Sequence, residues 1–389
     1  MRTETFNSFV REVYNSKNNS IPLHVPVFNG NEKQYVLNTI DSTFVSSVGK
    51  YVDQVESSLA DYTNTSKAVA VVNGTAAIQV SLRLAGVKSG DEVITQALTF
   101  IATANAIAYQ NANSVFIDVD KDTMGMSPNA LMSFLEEFGD KREEGIFNKK
   151  SGKRIAAILP MHTFGFMCRI KKIKEVCDEW GIPLIEDAAE ALGSKSEGFS
   201  AGSFGLLGAF SFNGNKIITA GGGGIIVSND LELGQKAKYL TTTAKKPHPY
   251  EYFHDELGYN YRMPNVNAAL LLAQMEQLEE HRLAKAEVYN QYREFFTKTD
   301  IELMPIPDST SQWNYWLMSV MLENRDQRDA FLKETNDQGV MTRPIWQLMY
   351  RLPMYSHCQR DNQINAEFLE ERIVNIPSSV VLKKNEGGR

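Results

Sequence analysis

The sequence predicts an α/β protein with a large, mostly parallel sheet and a smaller α+β lobe at its C-terminal end. Short apolar runs alternate with helical stretches from Lys67 to Ser228. Beyond Glu302 the alternation gives way to a strand, a helix and a glycine turn. The 389 residues are 43% hydrophobic and 10% aromatic, enough to bury a sizeable core in two lobes.

Each element has its own signal. Thr5 to Tyr14 reads as an amphipathic opening helix, and the polar stretch Asn15 to Ser20 as a linker. Strands are expected over Lys67–Val72, Glu92–Gln96, Ser114–Asp118, Arg154–Pro160, Ile182–Glu186, Gly208–Phe212 and Gly224–Ser228. Phe138 to Lys153, charged and glycine-bearing, reads as a surface excursion. Thr241 to Tyr252, polar with two prolines, reads as a mobile loop. Asn265 to Phe296 has long helical periodicity and should bridge to the small lobe, where strand Tyr315–Leu322, helix Arg325–Gln338 and a turn at Gly339 are expected. The expected division is residues 1–262, an N-terminal segment and large α/β domain, and residues 263–389, the bridging helix and small α+β domain.

Net charge is −7, from 47 acidic and 40 basic residues, and no basic block is present, so nucleic acid is not an expected partner. The three cysteines (Cys168, Cys177, Cys358) suit a reducing compartment and lack zinc-site spacing; no metal is expected. The first residues carry no apolar signal region and no run approaches a membrane span, so a cytoplasmic protein is expected.

Four segments carry chemistry. Phe210-Ser211-Phe212-Asn213-Gly214-Asn215-Lys216 brings one lysine from an apolar run into a turn of small residues. A lysine in a partly dry site can attack a carbonyl and form a Schiff base; a surface lysine beside a flexible turn is the plain alternative. Ile182-Pro183-Leu184-Ile185-Glu186-Asp187 reads as a buried strand ending in carboxylates. Ligands of open α/β sheets bind beyond such strand ends, though Asp187 could equally cap a helix. Val71-Val72-Asn73-Gly74-Thr75 is a strand, glycine turn and helix start of the kind that offers N–H groups to a phosphate; an ordinary β-α turn looks the same. Phe100, at another strand-to-helix junction, could stack on a flat ligand or belong to the core.

Together with Ile21-Pro22-Leu23, Gly90-Asp91-Glu92-Val93-Ile94, Val115-Phe116-Ile117-Asp118, Pro160-Met161-His162, Gly258-Tyr259-Asn260-Tyr261-Arg262 and Ile376-Pro377, these segments resemble, in order, the DegT/DnrJ/EryC1/StrS family of pyridoxal phosphate-dependent sugar aminotransferases. The resemblance implies the fold-type I, aspartate aminotransferase-like architecture. It implies pyridoxal phosphate (PLP/PMP) as cofactor, with Lys216 as its Schiff-base lysine and proton shuttle and Asp187 paired to its ring nitrogen. Ser211, Gly74 and Thr75 would hold the phosphate, and Phe100 would stack on the ring. Glu190 stands where relatives often place Gln or His near the ring hydroxyl. Asn260 would reach the phosphate of the neighbouring subunit, making a homodimer with shared active sites. His162 could touch cofactor or sugar, or be a buried structural histidine.

Asn213-Gly214-Asn215, Phe44-Val45-Ser46-Ser47-Val48-Gly49-Lys50-Tyr51-Val52 and Asp122-Thr123-Met124-Gly125-Met126-Ser127-Pro128 resemble the LegC-like branch. That implies L-glutamate as amino donor and C4 of a UDP-linked 4-keto-6-deoxy N-acetylhexosamine as acceptor, toward legionaminic acid or bacillosamine-type sugars. Two rivals share the fold: a PLP-dependent sugar dehydratase, whose relatives replace the lysine by histidine, and a non-catalytic cofactor-binding regulator. The set Asp187, Ser211, Lys216 argues against both. A nicotinamide dehydrogenase lacks its G-x-G-x-x-G after the first strand.

Overall fold

A computed structural model describes residues 3–16 and 20–382. Seven strands form the main sheet: β1 (Lys67–Val71), β2 (Glu92–Gln96), β3 (Asn113–Ile117), β4 (Ile155–Leu159), β5 (Ile185–Asp187), β6 (Leu207–Ser211) and β7 (Gly224–Ser228). β3, β2 and β4 pair in parallel, as do β5 and β6. Parallel bridges Ile158–Leu184 and Met161–Asp187 join β4 to β5. The order across the sheet is therefore β1-β7-β6-β5-β4-β2-β3. β7 runs against both its neighbours, β1 and β6. That reversal follows from its short connection: β6 returns as β7 through a folded loop, not through a crossover helix.

All residues of β2, β4 and β7 are buried. Their continuous apolar or β-branched runs belong to a sheet with both faces covered. Helix Gly74–Leu84 packs across β6 and β7, and Val69, Ile78, Leu82, Val93 and Ile226 share one buried cluster on that face.

Several expectations needed correction. The strand expected over Ile182–Glu186 is Ile185–Asp187, so Asp187 ends the strand itself; Leu184 only touches β4 through its single bridge. Phe138–Lys153 is ordered as an antiparallel hairpin, Gly139–Arg142 against Gly145–Asn148. The bridging helix is two helices, Asn265–Met275 and Leu278–Phe296. The break coincides with a tertiary demand: Gln274 and Gln277 both donate to the buried Glu32 carboxylate, at 2.7 and 2.8 Å. The opening helix is Thr3–Val13, and the linker expected at Asn15–Ser20 lies partly outside the described residues.

The small lobe holds a four-stranded antiparallel sheet of β8 (Glu302–Leu303), β9 (Met318–Met321), β10 (Arg343–Pro344) and β11 (Ile373–Ile376), in the order β8-β9-β11-β10. Its helix is Arg325–Asp337, followed by Gly339 at φ +76°. The N-terminal helix, grouped with the large domain on sequence, packs here instead: Phe6 meets Phe295, Phe296 and Phe331. Among the described residues no helix is long and apolar enough to cross a membrane.

Close backbone approach fixes the ends of β1 and β7. A methyl group on Gly224 would lie 2.4 Å from the carbonyl oxygen of Asn73 and 2.8 Å from the nitrogen of Gly74. Gly224→Ala is expected to lower the unfolding free energy by about 1–3 kcal/mol, read by chemical denaturation. Gly214→Ala, whose added methyl meets nothing within 4 Å, should change it by less than about 0.5 kcal/mol.

Candidate active site

The C-terminal ends of β1, β5 and β6 open on one cavity of about 350 Å³. Open α/β sheets place ligands at this edge. Four of its walls come from the four segments singled out above.

Lys216 sits in the loop between β6 and β7. Phe212 N–H donates to Gly223 O at 2.9 Å and Ala220 N–H to Phe212 O at 3.0 Å, folding the loop back on itself. Lys216 N–H donates to Asn213 O at 3.0 Å, which makes the turn. The side chain returns into the cavity, only 12% exposed, with Nζ 3.3 Å from Glu190 Oε1. Nζ also lies 4.1 Å from the ring centroid of Trp316, a cation–π contact. The indole N–H of Trp316 donates to Asn215 O at 2.7 Å, so one tryptophan fixes both the turn and its amine.

Asp187, the last residue of β5, is buried. Its Oδ2 accepts from Thr103 Oγ1 at 2.7 Å and its Oδ1 from Ala189 N–H at 3.2 Å. Burial pushes its pKa up, against the pull of those two donors and of Lys216. Glu190 lies one turn further on. Burial pushes its pKa up to about 7, opposed by Lys216 and by the Phe164 N–H, which donates to Oε2 at 2.9 Å.

Asn73 caps helix Gly74–Leu84 by accepting from Ala76 N–H at 2.8 Å. The first-turn N–H groups of Gly74 and Thr75 have no partner within the helix and carry its positive end. A methyl on Gly74 would lie 2.7 Å from Ser211 Cβ; glycine is what lets the helix start meet the Ser211 side chain. Together they form a cradle of anion-binding type. Phe100 precedes helix Ile101–Ala108 and is 48% exposed, its ring edge-on to Trp346 at 6.2 Å.

The structure thus brings Gly74, Thr75, Phe100, Asp187, Glu190, Ser211 and Lys216 together around one cavity. His162 is not among them, and a substrate-side role for it is corrected. It is fully buried beneath the sheet edge, with Nε2 3.0 Å from Glu186 Oε2 and Nδ1 accepting from Cys168 N–H at 3.3 Å. Both ring nitrogens are thereby satisfied by the protein. Asn260 is exposed and does not line the cavity of its own chain. Its segment runs beside the end of β1, where Val72 N–H donates to Tyr261 O at 2.8 Å.

Sequence reasoning missed Thr103 and Trp316; Trp346 ends the segment Thr342-Arg343-Pro344-Ile345-Trp346, which resembles a substrate-side segment of the family. Thr103 had a faint signal: a hydroxyl in an otherwise apolar helix start, one turn after Phe100. The two tryptophans arrive from the small lobe and no local pattern connects them to Lys216. Among the described residues no group of three or more His, Cys, Asp or Glu side chains could hold a metal ion.

Residues 27–388 match the DegT/DnrJ/EryC1/StrS aminotransferase family. The chain is 36% identical to EpsN of Bacillus subtilis (strain 168), whose name places it among pyridoxal phosphate-dependent aminotransferases; the match covers 95% of this chain and 93% of that one. It is 35% identical to GDP-perosamine synthase of Escherichia coli O157:H7, over 92% and 93% of the two chains. Among solved structures, the aminotransferase TlmJ of Streptoalloteichus hindustanus superposes with a TM-score of 0.84 at 25% identity, covering 94% and 95%.

Aminotransferases of this family are pyridoxal phosphate enzymes, and the cavity fits that group on its own terms. A buried carboxylate suits a protonated ring nitrogen, a glycine cradle at a helix start suits a phosphate, and one lysine stands between them. The chain is an aminotransferase of the pyridoxal phosphate class and belongs to the DegT/DnrJ/EryC1/StrS aminotransferase family.

Proposed function

We propose that the protein moves the amino group of L-glutamate to C4 of a UDP-linked 2-acetamido-2,6-dideoxy-4-keto-hexose, in the making of legionaminic acid or bacillosamine-type surface sugars. The observation that carries the reaction class is the meeting of Lys216, Asp187 and the Gly74–Ser211 cradle in one cavity. The sugar rests on the branch resemblance of Phe44–Val52, Asp122–Pro128 and Asn213–Asn215.

Pyridoxal phosphate, when bound, supplies an electron sink that stabilises negative charge on the carbon bearing the transferred amine. The chain's residues do the rest. Gly74 and Thr75 N–H groups and the Ser211 hydroxyl would hold the phosphate. Asp187, kept in place by Thr103, would hold the proton on the ring nitrogen. Phe100 would cover one ring face, and Glu190 would face the ring hydroxyl. Lys216 would supply the amine that tethers the cofactor, then carry the proton to and from the reacting carbon as base and acid. Trp316, buried against the Lys216 amine, and Trp346, beside Phe100, line the cavity and would limit water. A homodimer is part of this reading: Asn260 and the exposed Phe28, Phe44 and Val48 would be covered by a second copy.

A second reading keeps the reaction and changes the nucleotide. The 35% identity to a relative named GDP-perosamine synthase favours a GDP-linked sugar.

Lys216→Ala is expected to lose turnover completely while still binding cofactor, measured by steady-state product formation. With UDP- and GDP-linked 4-keto sugars offered in parallel, the product NMR spectrum should place nitrogen at C4 of the UDP sugar. Nitrogen at C3 overturns the position, and exclusive use of the GDP sugar selects the second reading. Thr103→Val should destabilise the cofactor-free protein by about 1–3 kcal/mol at neutral pH. The sign with pH follows from Asp187, whose folded pKa is raised. Such a group lowers stability as pH rises above the ordinary carboxylate range, and losing the Thr103 hydroxyl widens that window. The defect should therefore shrink on acidification, as unfolding curves at several pH values will read.

A further inference from the structure

We propose that Glu190 is the proton acceptor that prepares Lys216 for bonding to the cofactor: the ammonium gives its proton to Glu190 Oε1, across the 3.3 Å contact between them. This inference rests on the proposed role of Lys216.

An amine attacks a carbonyl only when uncharged. In the cavity Lys216 Nζ contacts the Glu190 carboxylate and the face of Trp316. An ammonium in this place must give up a proton before the bond can form. Trp316 has no basic site for it. Asp187 has its two oxygens engaged by Thr103 and Ala189. Of Glu190, one oxygen is held by the Phe164 N–H, and Oε1 is directed at Nζ. The carboxyl is 2% exposed, so bulk water is a poor competitor for this exchange.

Two titratable groups around Glu190 act on it in opposite senses, Asp187 raising its pKa and the charged Lys216 lowering it. Asp187, from β5, is a second buried carboxyl beside it, and Lys216, from the loop after β6, is its cation. Once Lys216 loses its charge, an ionised Glu190 would be left buried next to Asp187 with no cation, which a low-polarity site strongly disfavours. Burial already holds Glu190 near neutrality, at about 7. The transfer balances without a co-reactant: one N–H bond of the ammonium breaks, one O–H bond forms on Glu190, and an ion pair becomes a neutral amine and a neutral acid.

The small lobe keeps the geometry. Asn314 Nδ2 donates to Glu190 O at 2.7 Å, and Trp313 Nε1 donates to Phe164 O at 3.0 Å. One segment, Trp313 to Trp316, therefore braces the acid, the N–H that holds it, and the amine opposite.

The test mixes cofactor-free protein with pyridoxal phosphate and follows the absorbance of the Lys216-linked form in stopped flow, with Lys216→Ala as the control for attachment. Glu190→Gln keeps an oxygen for the Phe164 N–H but cannot take the proton. It is expected to attach the cofactor about 100-fold more slowly at neutral pH, the deficit closing at alkaline pH as hydroxide replaces Glu190 as proton acceptor. In the wild type, infrared difference spectra on attachment should gain a protonated-carboxyl signal that Glu190→Gln lacks. That second measurement does not depend on how the variant folds. An unchanged rate and pH profile in Glu190→Gln, or no carboxyl signal in the wild type, overturns the proton route while leaving Lys216 in its role. A wild type that forms no Lys216-dependent absorbance overturns that role and the proposal together.

Discussion

Burial of charge at the floor of the cavity is the constraint on which the rest of the site depends. Two carboxyl groups, Asp187 and Glu190, lie almost out of water, and one amine, Lys216, stands opposite them. Two unpaired carboxylates in such a place would each shift toward the neutral acid. The surroundings hold the balance with fixed donors: the Thr103 hydroxyl and Ala189 N–H on Asp187, the Phe164 N–H on Glu190. In the proposed reading Asp187 would meet a cation that comes with a ligand, whereas Glu190 faces the amine that the protein itself supplies.

Such a floor can be built because several strand ends reach one place. β1 delivers the Asn73–Gly74–Thr75 turn, β5 delivers Asp187, and β6 delivers Ser211 and the loop carrying Lys216. The chain packs so closely at this edge that side chains are excluded at Gly224 by the Asn73 backbone and at Gly74 by the Ser211 side chain. The reversal of β7 belongs to the same device. A short return from β6 leaves the Lys216 loop at the rim, whereas a crossover helix would carry the chain away from it.

The small lobe is part of the site, not an appendage to it. Trp316 contacts the Lys216 amine and its turn, Asn314 holds the Glu190 backbone, and Trp346 meets Phe100 at the mouth. A displacement between the lobes would therefore change the environment of the amine directly. His162 illustrates the opposite case. It stands at a strand end, as the functional residues do, but its ring points below the edge into the Glu186 carboxylate and the Cys168 backbone, so its work is structural.

The sequence by itself determined the α/β architecture and the strands β2 and β7 to the residue, while the family resemblance of its motifs implied Lys216, Asp187, Glu190, Ser211, Gly74, Thr75 and Phe100 as a set. Those signals are local: apolar runs bounded by turns, a strand ending in a carboxylate, a glycine before a helix. Only the tertiary structure decided the direction of β7, the break of the long helix at Gln277, the seat of the N-terminal helix on the small lobe, and the inward turn of His162. It also decided that Thr103 and Trp316 belong to the site. Apart from β7, whose direction follows from its short return from β6, these depend on a partner far away in the chain, such as Glu32 for Gln277 or Lys216 for Trp316. A periodicity can report which face of an element is buried, but not which distant side chain waits there.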